Sequence, residues 1–266
     1  MFTLSISDPA KWWDPGTVLS DDPGYTIIDF DGLSLPDVKI NTSAYAGFDG
    51  SVFDSAYVSS RTLTLTMVIN PPIADNRNRL YQLFETKKPL NLHFNGVRGD
   101  TWANIEVYVQ SIQVGLFDQR QTAQIVMQCP EPRIEGRGQT VMFDNRRADF
   151  TYAGDLSTGA VYQITARGAD VVNPLLANSA TMQGNMSFDI TIPDGQTLKI
   201  NTNRGDKSVV LEDPDADTET NALSSLTPGS SWIQLVPGNN WLFFQADAGQ
   251  DTAIVTVGYA TYYAGV

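Results

Sequence analysis

Few side chains in this sequence are equipped for chemistry. One histidine, His93, and one cysteine, Cys129, stand among 266 residues. A multi-histidine zinc centre, a paired-cysteine redox site, a zinc finger and an intramolecular disulfide are therefore excluded by count. A Ser-His-Asp hydrolase would have to use His93. That residue alternates within Leu90-Asn91-Leu92-His93-Phe94, and no Gly-x-Ser-x-Gly elbow supplies a serine partner, so a partly exposed strand histidine is the simpler reading.

The run Asp213-Pro214-Asp215-Ala216-Asp217-Thr218-Glu219 sets carboxylates at alternate positions, as a calcium loop does at its start. An EF-hand needs Gly at its sixth position and Glu at its twelfth, where this run has Thr218 and Ser224. A solvated loop between strands accounts for it. Arg204-Gly205-Asp206 spells an integrin-type tripeptide, but it falls between two strand-like segments, where a glycine-containing turn is needed in any case. The sequons at Asn41 and Asn185 would matter only in a secreted eukaryotic protein, and no phosphate-cradling P-loop is present. The sequence thus offers no catalytic residue, no metal site and no cofactor site, and the expectation is a protein that is not an enzyme.

Five tryptophans are the remaining candidates for recognition. Aromatic faces beside polar groups are how lectin-like sandwiches hold sugars, and Trp232 and Trp241 flank the hairpin-like turn Val236-Pro237-Gly238-Asn239-Asn240. They are candidate carbohydrate contacts, with core packing as the plainer alternative. Trp12 and Trp13 lie in a proline-bounded segment without periodicity. Two adjacent tryptophans rarely both face one small core, which makes this pair a candidate interface.

Charge narrows the partners. Seventeen Lys and Arg against 30 Asp and Glu give a net charge of −13, so a phosphate backbone would be repelled over most of the surface and specific nucleic-acid binding is not expected. No apolar run approaches the roughly 18 residues of a membrane helix, and the start lacks a basic then apolar leader. A soluble chain without membrane insertion is the expectation.

The elements that must carry these residues are mostly strands. Twenty-one glycines and 14 prolines punctuate short segments rich in Val, Ile, Thr, Tyr and Phe. Thr62-Leu63-Thr64-Leu65-Thr66-Met67-Val68-Ile69 alternates as a half-buried strand must. Similar strands are read over residues 24–30, 90–94, 105–114 and 122–128. One stretch departs: over 75–88, Leu80, Leu83 and Phe84 share a helical face. Asp75 is the expected N-cap, Lys87 and Lys88 suit the negative end of the dipole, and Pro89 ends it. The narrow stripe of Leu80, Leu83 and Phe84 should pack this helix on a sheet. The run from Pro130 to Gly138 should interrupt the strand rhythm, placing a domain boundary between residues 1–135 and 136–266. Beyond it, strands are read over 162–166, 186–192, 197–201, 209–212, 232–235, 241–246 and 254–259, a spacing that points to an antiparallel sandwich or jelly roll.

The succession of these segments resembles the distal tail (Dit) protein family of long non-contractile-tailed bacteriophages. In the first half the resemblance is carried by Ser60-Arg61-Thr62-Leu63-Thr64-Leu65, the helix Arg79-Leu80-Tyr81-Gln82-Leu83-Phe84 and Lys88-Pro89-Leu90-Asn91-Leu92-His93-Phe94. The strands through Tyr108-Val109 and 124–128, closed by Cys129-Pro130-Glu131-Pro132, complete that half. In the second half it is carried by Gly154-Asp155, Thr158-Gly159, Leu198-Lys199-Ile200-Asn201-Thr202, the run from Ser231 to Asn240, and Val257-Gly258-Tyr259. No single motif is specific; their order is.

The resemblance implies a mainly β chain. Its N-terminal β-sandwich-like domain would carry one short helix and an extended hairpin and close into a hexameric ring. Its C-terminal domain would be a galectin-like or jelly-roll β-sandwich projecting outward. Implied partners are tail-tube, tape-measure and tail-tip or receptor-binding proteins, with the ring joining tube to tip at the distal end of the virion tail after synthesis in the host cytoplasm. Acids lining such a ring would suit DNA passage by repelling the backbone. The alternative reading is a carbohydrate-binding protein that recognises host cell-wall polysaccharide through the C-terminal sandwich.

Overall fold

A computed structural model describes residues 3–10, 16–47, 49–97, 101–115, 119–144, 146–180 and 184–265. Trp12 and Trp13 lie outside the described residues. The chain forms two compact units, Met1–Gly136 with Tyr263–Val266, and Arg137–Tyr262. Among the described residues no helix is long and apolar enough to cross a membrane.

The first unit contains β1 (Thr3–Ser7), β2 (Thr17–Val18), β3 (Tyr25–Asp31), β4 (Val38–Ser43), β5 (Val52–Val58), β6 (Arg61–Ile69), α1 (Ile73–Leu83), β7 (Pro89–Val97), β8 (Thr101–Val114) and β9 (Thr122–Cys129). All its pairings are antiparallel. One run is β2-β1-β7-β8 and the other β8-β9-β6-β3. The long strand β8 serves both, pairing β7 along its first part and β9 from Tyr108 onward, with a bulge between Val109 and Ser111 that bends it. Alternation sends Leu63, Leu65, Met67 and Ile69 of β6 inward, where they meet Leu92, Phe94, Ile105, Val107, Ile125 and Met127 in one core.

The helix covers Ile73–Leu83 rather than 75–88. Pro72 occupies the N-cap with no side-chain capping bond, and Asp75 falls in the first turn, where its charge still favours the positive end of the dipole. Lys87 adopts a left-handed backbone at φ 69°. The chain has therefore left the helix before either lysine, and Lys88 instead pairs with Glu85 at 2.8 Å. Leu80 and Phe84 are fully buried in the core, with Leu83 and Ile73 half-buried against it. The Tyr25 hydroxyl donates to the Asn76 carbonyl at 2.7 Å, and Arg79 pairs with Asp22 at 2.7 Å.

Strand β10 (Ile134–Phe143) begins inside the stretch expected to break the strand rhythm. Glu135 and Gly136 pair with Asn104 and Ala103 of β8. Gly136 takes part in that ladder and Gly138 lies within the same strand, so the strand rhythm runs on through the expected break.

The second unit contains β11 (Arg147–Tyr152), β12 (Val161–Thr165), β13 (Val171–Val172), β14 (Leu175–Asn178), β15 (Gly184–Ser187), β16 (Thr191–Ile192), β17 (Thr197–Asn201), β18 (Ser208–Asp213), β19 (Thr218–Asn221), β20 (Gly238–Gln245) and β21 (Ile254–Tyr263). One sheet runs β19-β18-β17-β12-β21 and the other β11-β20-β14-β15. Tyr162, Ile164, Leu198, Ile200 and Val255 from the first meet Leu176, Met186, Leu242 and Phe244 from the second in a shared core. This is a β-sandwich, and the whole chain is mainly β, as its segment pattern implies. The strand read over 186–192 divides into β15 and β16, and the one read over 232–235 is absent: only Leu235 makes a bridge, to Thr158.

Candidate functional site

Two surfaces stand out from the solvated remainder. The first is the hairpin β4–β5 in the first unit. Every residue of both strands is exposed, yet Val38, Ile40, Val52, Phe53, Tyr57 and Val58 are apolar or aromatic and between 45% and 63% exposed. The register opposes Val38 to Val58, Ile40 to Ala56 and, past a bulge between Asn41 and Thr42, Thr42 to Phe53. Opposed residues share a face, so these pairs build an apolar stripe with no cover. The hairpin pairs with no other strand among the described residues. A lone two-stranded hairpin is marginal in water, and its free edges are templates for another chain.

The second surface is the outer face of β20. Leu242 and Phe244 point into the core, so Trp241, Phe243 and Gln245 face away from it. Trp241 is 36% exposed. Trp232 differs: it is half-buried against the second unit's core, and the Lys207 ammonium lies 5.4 Å from its ring centroid. One face of that indole is thus held by a cation.

The titratable candidates are held in structural roles. His93 lies on β7 with Nε2 2.7 Å from the Ser7 hydroxyl and its ring stacked 5.5 Å from Trp102. Burial pushes its pKa below the usual imidazole value. Cys129 is fully buried, and burial pushes its thiol up to about 12, the opposite of what a nucleophile needs. Beside it Arg61, 3% exposed, donates to the carbonyls of Gly32, Ser34, Pro132 and Ala264.

The acidic run forms a turn between β18 and β19. The Asp213 carboxylate accepts from the amides of Asp215 and Ala216 and from Gln196, which occupies it as a turn cap. Gly205, at φ +83°, makes the Arg204-Gly205-Asp206 turn, and Asp206 is bonded to Asn201 at 2.7 Å. Among the described residues no three His, Cys, Asp or Glu side chains gather as metal ligands.

No protein-family profile matches the sequence, and no curated protein matches it. Solved structures do match. One is the Dit protein (gp 19.1) of phage SPP1, described as a hub adsorption apparatus of phages infecting Gram-positive bacteria. The likeness has a TM-score of 0.70 at 14% identity and covers 98% of this chain and 99% of that one. The chain shares its fold with phage tail-hub proteins. A chain of the phage P2 baseplate in its activated conformation with Ca matches at TM-score 0.52 and 8% identity, over 97% of this chain and 98% of that one. The hub fold therefore spans both units.

Sequence reasoning did not locate the hairpin, although the resemblance implied one. Its signal is weak but present: the β-branched and aromatic residues of 38–43 and 52–58 flank a stretch containing Gly47 and Gly50. Phe243 has no sequence signal of its own, since it stands between the core residues Leu242 and Phe244.

Proposed function

We propose that this protein is a structural component of a long non-contractile phage tail, a hub whose first unit closes into a hexameric ring joining the tail tube to the tip or host-adsorption apparatus. The observation that carries this reading is the hairpin β4–β5, whose stripe of Val38, Ile40, Ala56, Val58 and Phe53 has no cover of its own. The hub fold supports it. A hairpin laid on the next copy is a heterologous contact, and heterologous contacts that close make rings. Covering the stripe and pairing its edge would supply the burial that the isolated hairpin lacks.

In this reading the second unit is a galectin-like sandwich, the neighbours are tail-tube, tape-measure and tip proteins, and the site of action is the distal end of the virion tail. The roles found for His93, Cys129 and the 213–219 run leave none of them poised for catalysis, which supports a non-enzymatic assembly role.

The test is the solution mass of the purified chain by light scattering over a concentration series. Six copies of a 29.1 kDa chain give about 175 kDa, and that species, or its double for stacked rings, is the expected result. A monomer at every concentration, alone and with the tube and tip proteins of the same phage, would overturn the ring.

A further inference from the structure

The outer face of the sheet β11-β20-β14-β15 combines three features that its packing role does not require. The first is an exposed aromatic: Trp241 stands on the outward row of β20, with Phe243 two residues on along the same face, its ring held by a cation. The second is a neutralised ion pair beside it. The register sets Asp149 opposite Trp241 and Arg147 opposite Phe243. The Arg147 guanidinium lies 5.4 Å from the Phe243 centroid and makes two hydrogen bonds to the Asp149 carboxylate, from Nε and Nη2. The pair therefore offers donors and acceptors without net charge.

The third feature is a cleft of about 440 Å³ where the face ends, lined among others by Asn173, Ser187, Asp189, Thr227, Gln245 and Asp247. Gln245 belongs to the same outward row of β20 as the two aromatics, opposite Leu175, which is opposite Ser187. Asn173 adopts a left-handed backbone at φ 51° and its Nδ2 donates to Asp247 at 2.8 Å. The lining sets amide, hydroxyl and carboxylate groups beside the apolar Leu175, Phe188 and Ala246, in a volume within the range of small-ligand sites.

We infer that this face and its cleft form a binding site for an uncharged oligosaccharide. The indole of Trp241 receives the C–H face of a sugar ring, while Gln245, Asn173 and Asp247 exchange hydrogen bonds with hydroxyls in the cleft. An apolar ring face rimmed by hydroxyls is the ligand shape that an exposed aromatic, in one strand row with a cleft bearing amides, hydroxyls and carboxylates, complements. From Trp241 to Gln245 the strand spans about 13 Å, so more than one sugar ring is engaged. Asp189 and Asp247, within a chain of net charge −13, disfavour a phosphate-bearing polymer. The site uses Trp241 and not Trp232, whose ring Lys207 already holds. It belongs to the second unit and does not depend on ring formation, which the solution mass tests separately.

The test is binding of the full-length chain to an array of uncharged and phosphorylated glycans, followed by calorimetric titration and tryptophan emission with the best uncharged oligosaccharide. Saturable binding to uncharged glycans is expected, weakened about tenfold or more by Trp241→Ala and by Asp247→Ala. Trp241→Phe should retain most of the affinity, which separates stacking from loss of fold. Binding to none of the uncharged glycans, binding to phosphorylated glycans alone, or undiminished affinity in Trp241→Ala with an intact unfolding transition would each overturn the inference.

Discussion

The side chains of Asn178 and Asn240 meet in the interior of the second unit, Nδ2 of the first donating to Oδ1 of the second at 2.8 Å. Both are buried, at 1% and 0% exposure. Asn178 also donates to the Gln234 carbonyl, and Asn240 bonds both the amide and the carbonyl of Val236. The pair thus satisfies backbone that no strand pairs and fixes the approach to Trp241. Asn240→Ala should lower unfolding free energy by about 1–3 kcal/mol, because several buried polar groups lose their partners. Urea denaturation measures it; a change below about 0.5 kcal/mol would show that water replaces the amide.

Arg61 makes a second such prediction. Its guanidinium is buried without a carboxylate and is satisfied by four carbonyl oxygens, one of them from Ala264. Lysine has the charge but not the planar fork. Arg61→Lys should therefore destabilise by about 1–3 kcal/mol, and Arg61→Met, which orphans every carbonyl, by more. Equal urea midpoints for Arg61→Lys and the parent chain would show that the fork geometry is immaterial.

These two residues also mark where the sequence could be read. Alternation exposes β6 and β17 almost residue for residue, because one face of each is buried and the period survives in the types. The segment 232–235 imitates that pattern, but the Gln234 carbonyl accepts from the Asn178 side chain, Leu235 makes a single bridge to Thr158, and Asn240 holds the next residue, Val236; a remote side chain leaves no trace in local periodicity. The start of β10 hides behind Gly136 and Gly138 for the converse reason, a distant partner strand taking Gly136 into its ladder. The hairpin β4–β5 is hardest to read, since neither face is buried and no alternation is imposed. On β20, Trp241 could be singled out by type, whereas the cleft residues Asn173, Asp189 and Asp247 converge only once the sheet is formed.

Cys129 predicts an alkaline limit to stability. Its folded pKa of about 12 stands above the ordinary value of 9.0 because burial disfavours the thiolate. Between pH 9 and 12 the unfolded chain releases a proton that the folded chain retains. Stability therefore falls as pH rises, by at most about 1.4 kcal/mol per pH unit from this group. Urea midpoints at pH 9 and pH 10 should fall further apart in the parent chain than in Cys129→Ala. Identical pH dependence in the two would show that the thiol is not protected.

His93 predicts the acid counterpart. Burial holds its pKa below 6.5, so as pH falls through 6.5 the unfolded imidazole gains a proton before the folded one. Its contribution is present above 6.5 and is lost as pH falls toward the folded value. The decline in melting temperature between pH 7.5 and 5.5 should be shallower in His93→Gln than in the parent chain. A parallel decline would mean that carboxylates alone set the acid limit.

The hairpin separates assembly from folding. Ile40 and Phe53 are 63% and 62% exposed and contribute to no core of the first unit. Replacing both by Asp should leave the subunit's unfolding free energy within about 0.5 kcal/mol, the range of exposed substitutions. In a closed ring, however, the same stripe is buried against the next copy, where two uncompensated carboxylates are strongly unfavourable. The expected outcome for Ile40→Asp with Phe53→Asp is a folded chain with a light-scattering mass of 29.1 kDa under conditions that assemble the parent. An assembled double variant would move the subunit contact away from the hairpin. A variant unfolded at 25 °C would show that the stripe belongs to the subunit's own core.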